Sequence, residues 1–347
     1  MRNKLGFQTP NVPFDISTMM RTKPDYCVVM QYDSGDNMIG KILEANPNMY
    51  FCFRWYTKNT TKQSPQVIAD QAGGWVQGIL DTHNIPIGNF CVSDLNEPQI
   101  QAEYDDGGTY DDEAYYRHIG NWEYEAISAL KSAHPDWLAC GLNLSPGHSE
   151  DQADAGFIAF ELPEIRKAVS VADILGAHCY WKDAGAAKGL DDAEAPWYFQ
   201  RFKKYHTFFP DKPILITEAN GGSILDLPTH ELRLQAAVEL RQAIDIVNRY
   251  PYVLGCCFFI WYSPGHPQMY SDETIQIFEG IELPKYQKYV VEITMPDPVP
   301  LDYPSAIWKG SPNYDLRTPL VQVDTIVIHS AEGTLSGMDA WFANSTS

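Results

Sequence analysis

A (β/α)8 barrel is the fold class this sequence predicts, and three observations carry it. Eight short apolar, β-branched or aromatic runs follow one another along the chain, amphipathic helical stretches lie between them, and the whole alternation occupies about 280 residues. That is the span of a closed barrel, which typically takes ~250 residues or more. The first strand is read in KLGFQT from Lys4, the second in YCVVMQ from Tyr26 and the third in MYFCFRW from Met49. The helical stretch SPQVIADQAGGWVQGILDTHN comes next, with Ile68, Ala72, Val76 and Leu80 recurring every four residues along one stripe. NFCVSDLN from Asn89 is the fourth strand, and DDEAYYRHIGNWEYEAISALKSAHP is again helical. LACGLNL from Leu138, DILGAHCYW from Asp173 and PILITEA from Pro213 supply strands five to seven. THELRLQAAVELRQAIDIVNRYP is a helix stopped by Pro251, and LGCCFFIWY from Leu254 closes the set. An open doubly wound sheet is the alternative; it is weakened because no GxGxxG follows the first strand.

Charge and composition narrow the functions. The 347 residues carry a formal charge of −20, which disfavours nucleic acid and anionic lipid as partners and leaves neutral polymers such as glycans. Nine tryptophans and twenty tyrosines lean the same way, because their rings offer flat apolar faces with a polar edge, although a well-filled core would use them too. No apolar run is long enough to span a bilayer, and MRNKLGFQTPNVPFDI lacks the apolar centre and cleavage site of a signal peptide. The expectation is a chain made in the cytoplasm, with no membrane insertion. Seven cysteines (27, 52, 91, 140, 179, 256 and 257) show no CxxC pair and all fall in strand-like runs. Buried reduced thiols packing as small hydrophobes are expected.

Two carboxylates stand out, because each ends a run that reads as buried, and burying an unpaired carboxylate costs several kcal/mol. Glu97 in SDLNEPQI follows strand four, and Glu218 in ILITEANGG ends strand seven. In a parallel barrel the strand C-termini form the functional mouth. Two carboxylates facing each other there meet the requirement for cleaving a glycosidic bond. Taken singly, each could instead cap a helix or pair with an arginine. The acidic loop EYDDGGTYDDE lacks EF-hand spacing, and SPGHS is not a nucleophile elbow.

Over residues 5–262 the sequence resembles the clan A glycoside hydrolases, (β/α)8 enzymes with Asn-Glu ending strand four and a glutamate ending strand seven. The resemblance implies a retaining mechanism with catalytic Glu97 as acid/base, Glu218 as nucleophile and Asn96 on the sugar 2-hydroxyl. It implies that Glu97 is protonated for part of the cycle and that no cofactor is needed. His178 and Tyr180 in AHCYW match the clan's His-x-Tyr, and with Trp181 they are candidate substrate-binding residues. A core histidine and a buried tyrosine are the plainer reading. Trp261 matches the clan's sugar-stacking tryptophan, with a core position as the alternative. Arg54 resembles the clan arginine that holds the nucleophile ionised, but it falls on strand three where the clan has it on strand two.

The barrel is assigned residues 1–294. Residues 295–319 form a proline-rich linker, with prolines at 296, 298, 300, 304, 312 and 319. Residues 320–347 read as the incomplete start of a second α/β domain. SPNYDLRTPLVQVDTIVIHSAEGT resembles the opening of the zinc-dependent N-acetylmuramoyl-L-alanine amidases, which implies His329 as a metal ligand in a complete domain. A catalytic zinc needs three protein ligands, and neither histidine nor cysteine follows His329, so this stretch is expected neither to hold zinc nor to hydrolyse an amide. The adjacency ranks bacterial cell-wall glycan, peptidoglycan, first among substrates, as in a modular lysin released by some other route than a signal peptide. Two other readings stay open: a non-catalytic carbohydrate-binding barrel that targets the amidase, and a clan A enzyme acting on a non-wall polysaccharide.

Overall fold

In the computed structural model eight parallel strands pair in sequence order, and β1 closes on β8. They are β1 Leu5–Gln8, β2 Tyr26–Met30, β3 Tyr50–Arg54, β4 Phe90–Ser93, β5 Leu138–Leu144, β6 Ile174–His178, β7 Ile214–Ala219 and β8 Val253–Phe258. The structure describes residues 2–9, 15–31, 37–55, 57, 60–98, 113–144, 157–222, 227–259, 261 and 271–279. All of these lie in one compact unit, Met1–Tyr286. The linker at 295–319, the segment 320–347 with His329, the acidic loop after Glu97 and the SPGHS stretch fall outside the described residues.

Each strand coincides with one of the eight sequence runs, with ends trimmed by a few residues. The described helices are α1 Ile16–Met20, α2 Met38–Ala45, α3 Pro65–His83, α4 Glu113–Ala133, α5 Pro163–Val171, α6 Phe202–Phe208, α7 His230–Val247 and α8 Ser271–Phe278. The stripe on α3 is borne out: Ile68, Ala72 and Val76 are buried and Leu80 is half-buried. Pro65 occupies the first turn of that helix, where its missing N–H costs nothing. Asp15 caps α1 and Thr229 caps α7 by accepting backbone N–H groups of the first turn. Helix α7 ends at Val247, ahead of Pro251.

Inside the barrel, Tyr26, Val28, Tyr50, Cys52, Cys91, Cys140, Ile174, Leu215 and Cys257 form a separate buried cluster. Outside, the other strand faces and the helices build the larger core. A Cβ on Gly255 would meet the Tyr26 ring at 2.7 Å, so glycine there makes room for an aromatic ring within the barrel.

Two irregularities aim side chains into the mouth. On β5, Leu142 pairs with Gly176 and Leu144 with Ala177, so Asn143 is an inserted residue, with φ of +75° at Leu142 and +43° at Asn143. On β7, Ile216 pairs with Ala177 and Glu218 with His178, so Thr217 is passed over. Bulges of this kind re-aim the residues that follow them. On β7 the consequence is that both Thr217 and Glu218 reach inward.

Candidate active site

Strands β3 and β7 lie on opposite sides of an eight-membered ring, and the long Arg54 side chain crosses between them. Its Nη1 donates to Glu218 Oε1 and, at 2.6 Å, to Asn96 Oδ1, and its Nη2 is 3.5 Å from His178 Nε2. Arg54 is fully buried. Burial is the largest single influence and lowers the guanidinium pKa; the charges of Glu218 and Cys52 and the hydrogen bond to Glu218 together outweigh it, and the net shift is upward. Glu218, itself 5% exposed, thus has a permanent positive charge held against one of its oxygens.

His178 ties the two carboxylates together. Its Nδ1 is 2.9 Å from Glu97 Oε1 and 3.5 Å from Glu218 Oε2. Because Arg54 Nη2 can only donate, we assign Nε2 as the acceptor and place the ring proton on Nδ1, facing the acids. Tyr180 donates its hydroxyl to Glu218 Oε2 at 2.8 Å. Burial, then the charges of Glu218 and Glu97, push the Tyr180 pKa well up, which keeps the phenol a donor. One oxygen of Glu97, one ring nitrogen of His178 and one oxygen of Glu218 lie within 4.8 Å of one another.

Glu97 lies beyond Ser93, the last residue of β4, with φ of +48°. A left-handed glutamate costs about 1–3 kcal/mol and persists only where its surroundings hold it. The holding contact is on the β5 bulge: Glu97 N–H donates to Asn143 O at 2.9 Å. Asn143 is fully buried, its Nδ2 donates to Ser93 Oγ at 2.8 Å, and its Oδ1 accepts from Thr217 Oγ1 at 2.6 Å. One asparagine thus links β4, β5 and the residue before Glu218. Behind it, Glu123 on α4 accepts from Leu142 N–H at 2.5 Å. Sequence reasoning missed Asn143, Ser93, Thr217 and Glu123; the available signal was a polar residue interrupting the apolar run LACGLNL.

The cluster brings together Glu97, Glu218, Asn96, Arg54, His178 and Tyr180. Trp181 departs from its reading as a substrate-binding residue, and Trp261 has the core surroundings that the sequence left as its alternative. Trp181 is 1% exposed; its ring packs edge-on to Phe199 and its Nε1 donates to Glu239 Oε2 at 2.8 Å, on the far side of the strand from the acids. The two-residue alternation that sets His178 and Tyr180 inward turns Trp181 outward. Trp261 is also buried, and among the described residues its ring contact is Phe7, with centroids 4.8 Å apart. Both have the surroundings of core tryptophans.

Glu97, His178 and Glu218 offer a donor set that could enclose a divalent cation. Arg54 already places a permanent positive charge on Glu218 and against the other ring nitrogen, so the charge a metal would supply is present. The class that fold and site define is a (β/α)8 barrel with paired carboxylates at the C-terminal ends of β4 and β7.

The backbone is similar to that of Bacteroides uniformis β-glucuronidase 2 covalently bound to cyclophellitol-6-carboxylate aziridine, with a TM-score of 0.52 and 12% identity over 76% of this chain and 31% of that one. It is also similar to a crystal structure of Bacteroides uniformis β-glucuronidase, with a TM-score of 0.51 and 11% identity over 76% and 30%. At such identities the likeness is one of fold. The chain spans about a third of the length of these enzymes. No family model matches the sequence, and no curated protein does.

Proposed function

We propose that the barrel is a retaining glycoside hydrolase acting on a polysaccharide, with Glu218 as nucleophile and Glu97 as general acid/base. The observation that carries this reading is the approach of the two acids, whose facing oxygens lie within 4.8 Å of each other, both beside His178 Nδ1. Retaining pairs stand ~5–5.5 Å apart, whereas inverting pairs need ~6.5–9.5 Å to admit a water.

Glu218 attacks the anomeric carbon while Glu97 delivers a proton to the departing oxygen, which breaks the glycosidic bond and leaves a glycosyl ester on Glu218. Glu97 then takes a proton from water, whose oxygen displaces the ester. Arg54 and Tyr180 donate to the two oxygens of Glu218 and keep it aimed. His178, through Nδ1–H, orients Glu97. Arg54, by donating to Asn96 Oδ1, fixes the orientation of the amide that the reading places against a sugar hydroxyl. Cell-wall glycan is the proposed substrate class, on the strength of the amidase-like sequence at 311–334; that is an argument from adjacency.

The test is turnover of peptidoglycan, chitin, cellulose, mannan and xylan by the full chain, with proton NMR of the first-formed anomer. The expected result is hydrolysis of one class with retention, abolished in Glu97→Gln and Glu218→Gln while glycan binding survives. Turnover that persists in both variants, or an inverted anomer, overturns the reading. Peptidoglycan left intact while another polymer is cut removes the cell-wall assignment alone.

A further inference from the structure

Beneath the arginine that serves the two acids lies a second cluster of reactive side chains. Cys52 on β3, Cys91 on β4 and Cys140 on β5 project into the barrel from three successive strands, and Cys52 and Cys91 are direct register partners. Their Sγ atoms all lie within 4.8 Å of one another, and each residue is no more than 1% exposed. The surroundings are apolar side chains and the phenol of Tyr50, whose buried hydroxyl beside Cys91 completes no well-formed hydrogen bond.

We propose that Cys52, Cys91 and Cys140 form a three-thiolate site for one soft d10 metal ion in the interior of the barrel. Metal–thiolate bonds of ~2.3 Å in a trigonal plane put the sulfurs about 4.0 Å apart, so little movement is needed. Three sulfurs with no fourth cysteine or histidine in the group differ from the closed four-ligand set of structural zinc. A dry thiolate cage disfavours the hard cations, which keep oxygen ligands and water, and selects soft ions.

Charge supports the same assignment. Arg54 lies two residues beyond Cys52 on the same strand face, and a divalent ion with three thiolates carries a net charge of −1 toward that guanidinium. Binding M2+ forms three metal–sulfur bonds and releases to solvent whatever thiol protons remain, three at most.

The experiment is a titration of the reduced full chain with Cd(II) under anaerobic conditions, with the ion also supplied during expression because the site is buried. The expected result is ultraviolet thiolate-to-metal charge transfer that saturates at one ion per chain, a raised Tm, and three sulfur neighbours by X-ray absorption at the cadmium edge. The band is lost in Cys91→Ser and kept in Cys179→Ser and Cys256→Ser, whose thiols lie outside the cluster. A parent protein that shows no band under either loading, or whose cadmium has other than three sulfur neighbours, overturns the proposal. The edge measurement needs no variant, so it decides the matter even where Cys91→Ser does not fold. None of these readouts depends on the hydrolase reading.

Discussion

Arg54 shows how one residue can hold a site at a cost to the fold. Its guanidinium lies wholly inside the protein, and the ion pair with Glu218 forms where neither partner can return to water. Removing one member of such a pair leaves an uncompensated buried charge, worth about 3–5 kcal/mol. Arg54→Met should therefore destabilise the chain by about that amount in urea unfolding, and Arg54→Met/Glu218→Gln should be less destabilised than the sum of the single changes. Simple additivity would mean the two groups do not act as a pair. The sequence showed an arginine at the end of the third strand, but a strand count cannot show that a side chain long enough to cross the barrel makes strand three the equivalent of a neighbour. Trp181 carries the opposite lesson. Alternation along AHCYW already placed it on the outer face, and the sequence reading, drawn to its ring, passed over that.

At the scale of the element, the β5 bulge does most to shape the mouth. Eight strands were legible because apolar runs reveal themselves by composition; the bulges were not, because a polar residue in LACGLNL or PILITEA marks a position without revealing that the pairing register shifts there. The Asn143 amide runs across Gly176 so closely that a Cβ there would meet Asn143 Oδ1 at 2.1 Å. Gly176→Ala should accordingly destabilise the fold by about 1–3 kcal/mol, and most of that penalty should vanish in an Asn143→Ala background, as urea titration of the four proteins would show. Given the proposed chemistry, Asn143→Ala should lower kcat far more than it raises KM, because it loosens the Glu97 backbone through Ser93 and Thr217 without touching substrate. An equal change in both constants would count against a positioning role.

Beside that strand lie two buried acids, Asp94 just past β4 and Glu123 on α4, whose titration should be visible in stability. Burial raises the Asp94 carboxyl to about 7, and burial together with the Asp94 charge pushes Glu123 well above the ordinary range. Among the described residues neither Asp94 Oδ1 nor Glu123 Oε2 finds a hydrogen-bond partner. Between the unfolded carboxylate range near pH 4 and the folded value near 7, the native protein binds more protons than the unfolded chain. Its stability should fall as pH rises through that window, by up to ~1.4 kcal/mol per pH unit for each group. Asp94→Asn should flatten the slope. A slope unchanged by that substitution would show that other groups set it.

For the whole molecule, the barrel must close β1 onto β8, and a lysine helps to fasten the seam. Lys4, just before β1, sends its ammonium to Val247 O at 2.8 Å and Tyr250 O at 2.6 Å, at the carboxyl end of α7, where helix carbonyls lack intrahelical partners. Burial brings the Lys4 pKa down to about 7, against 10.5 for the exposed side chain. Between those values the unfolded chain holds the proton more firmly, so this group makes the fold more stable as pH rises from 7 toward 10.5, and that contribution is lost as pH falls back through 7. A chain of formal charge −20 has a general self-repulsion that grows over the same alkaline range and acts in the opposite direction. The two effects separate by ionic strength, because salt screens dispersed surface charge far more than a buried ammonium. In high salt, denaturant unfolding between pH 7 and 10 should show the parent's stability advantage over Lys4→Met widening as pH rises, the buried thiols and phenols that titrate in both proteins cancelling in the difference. Parallel curves for the two proteins would mean that the seam is held by strand pairing alone and that Lys4 titrates as it would in water.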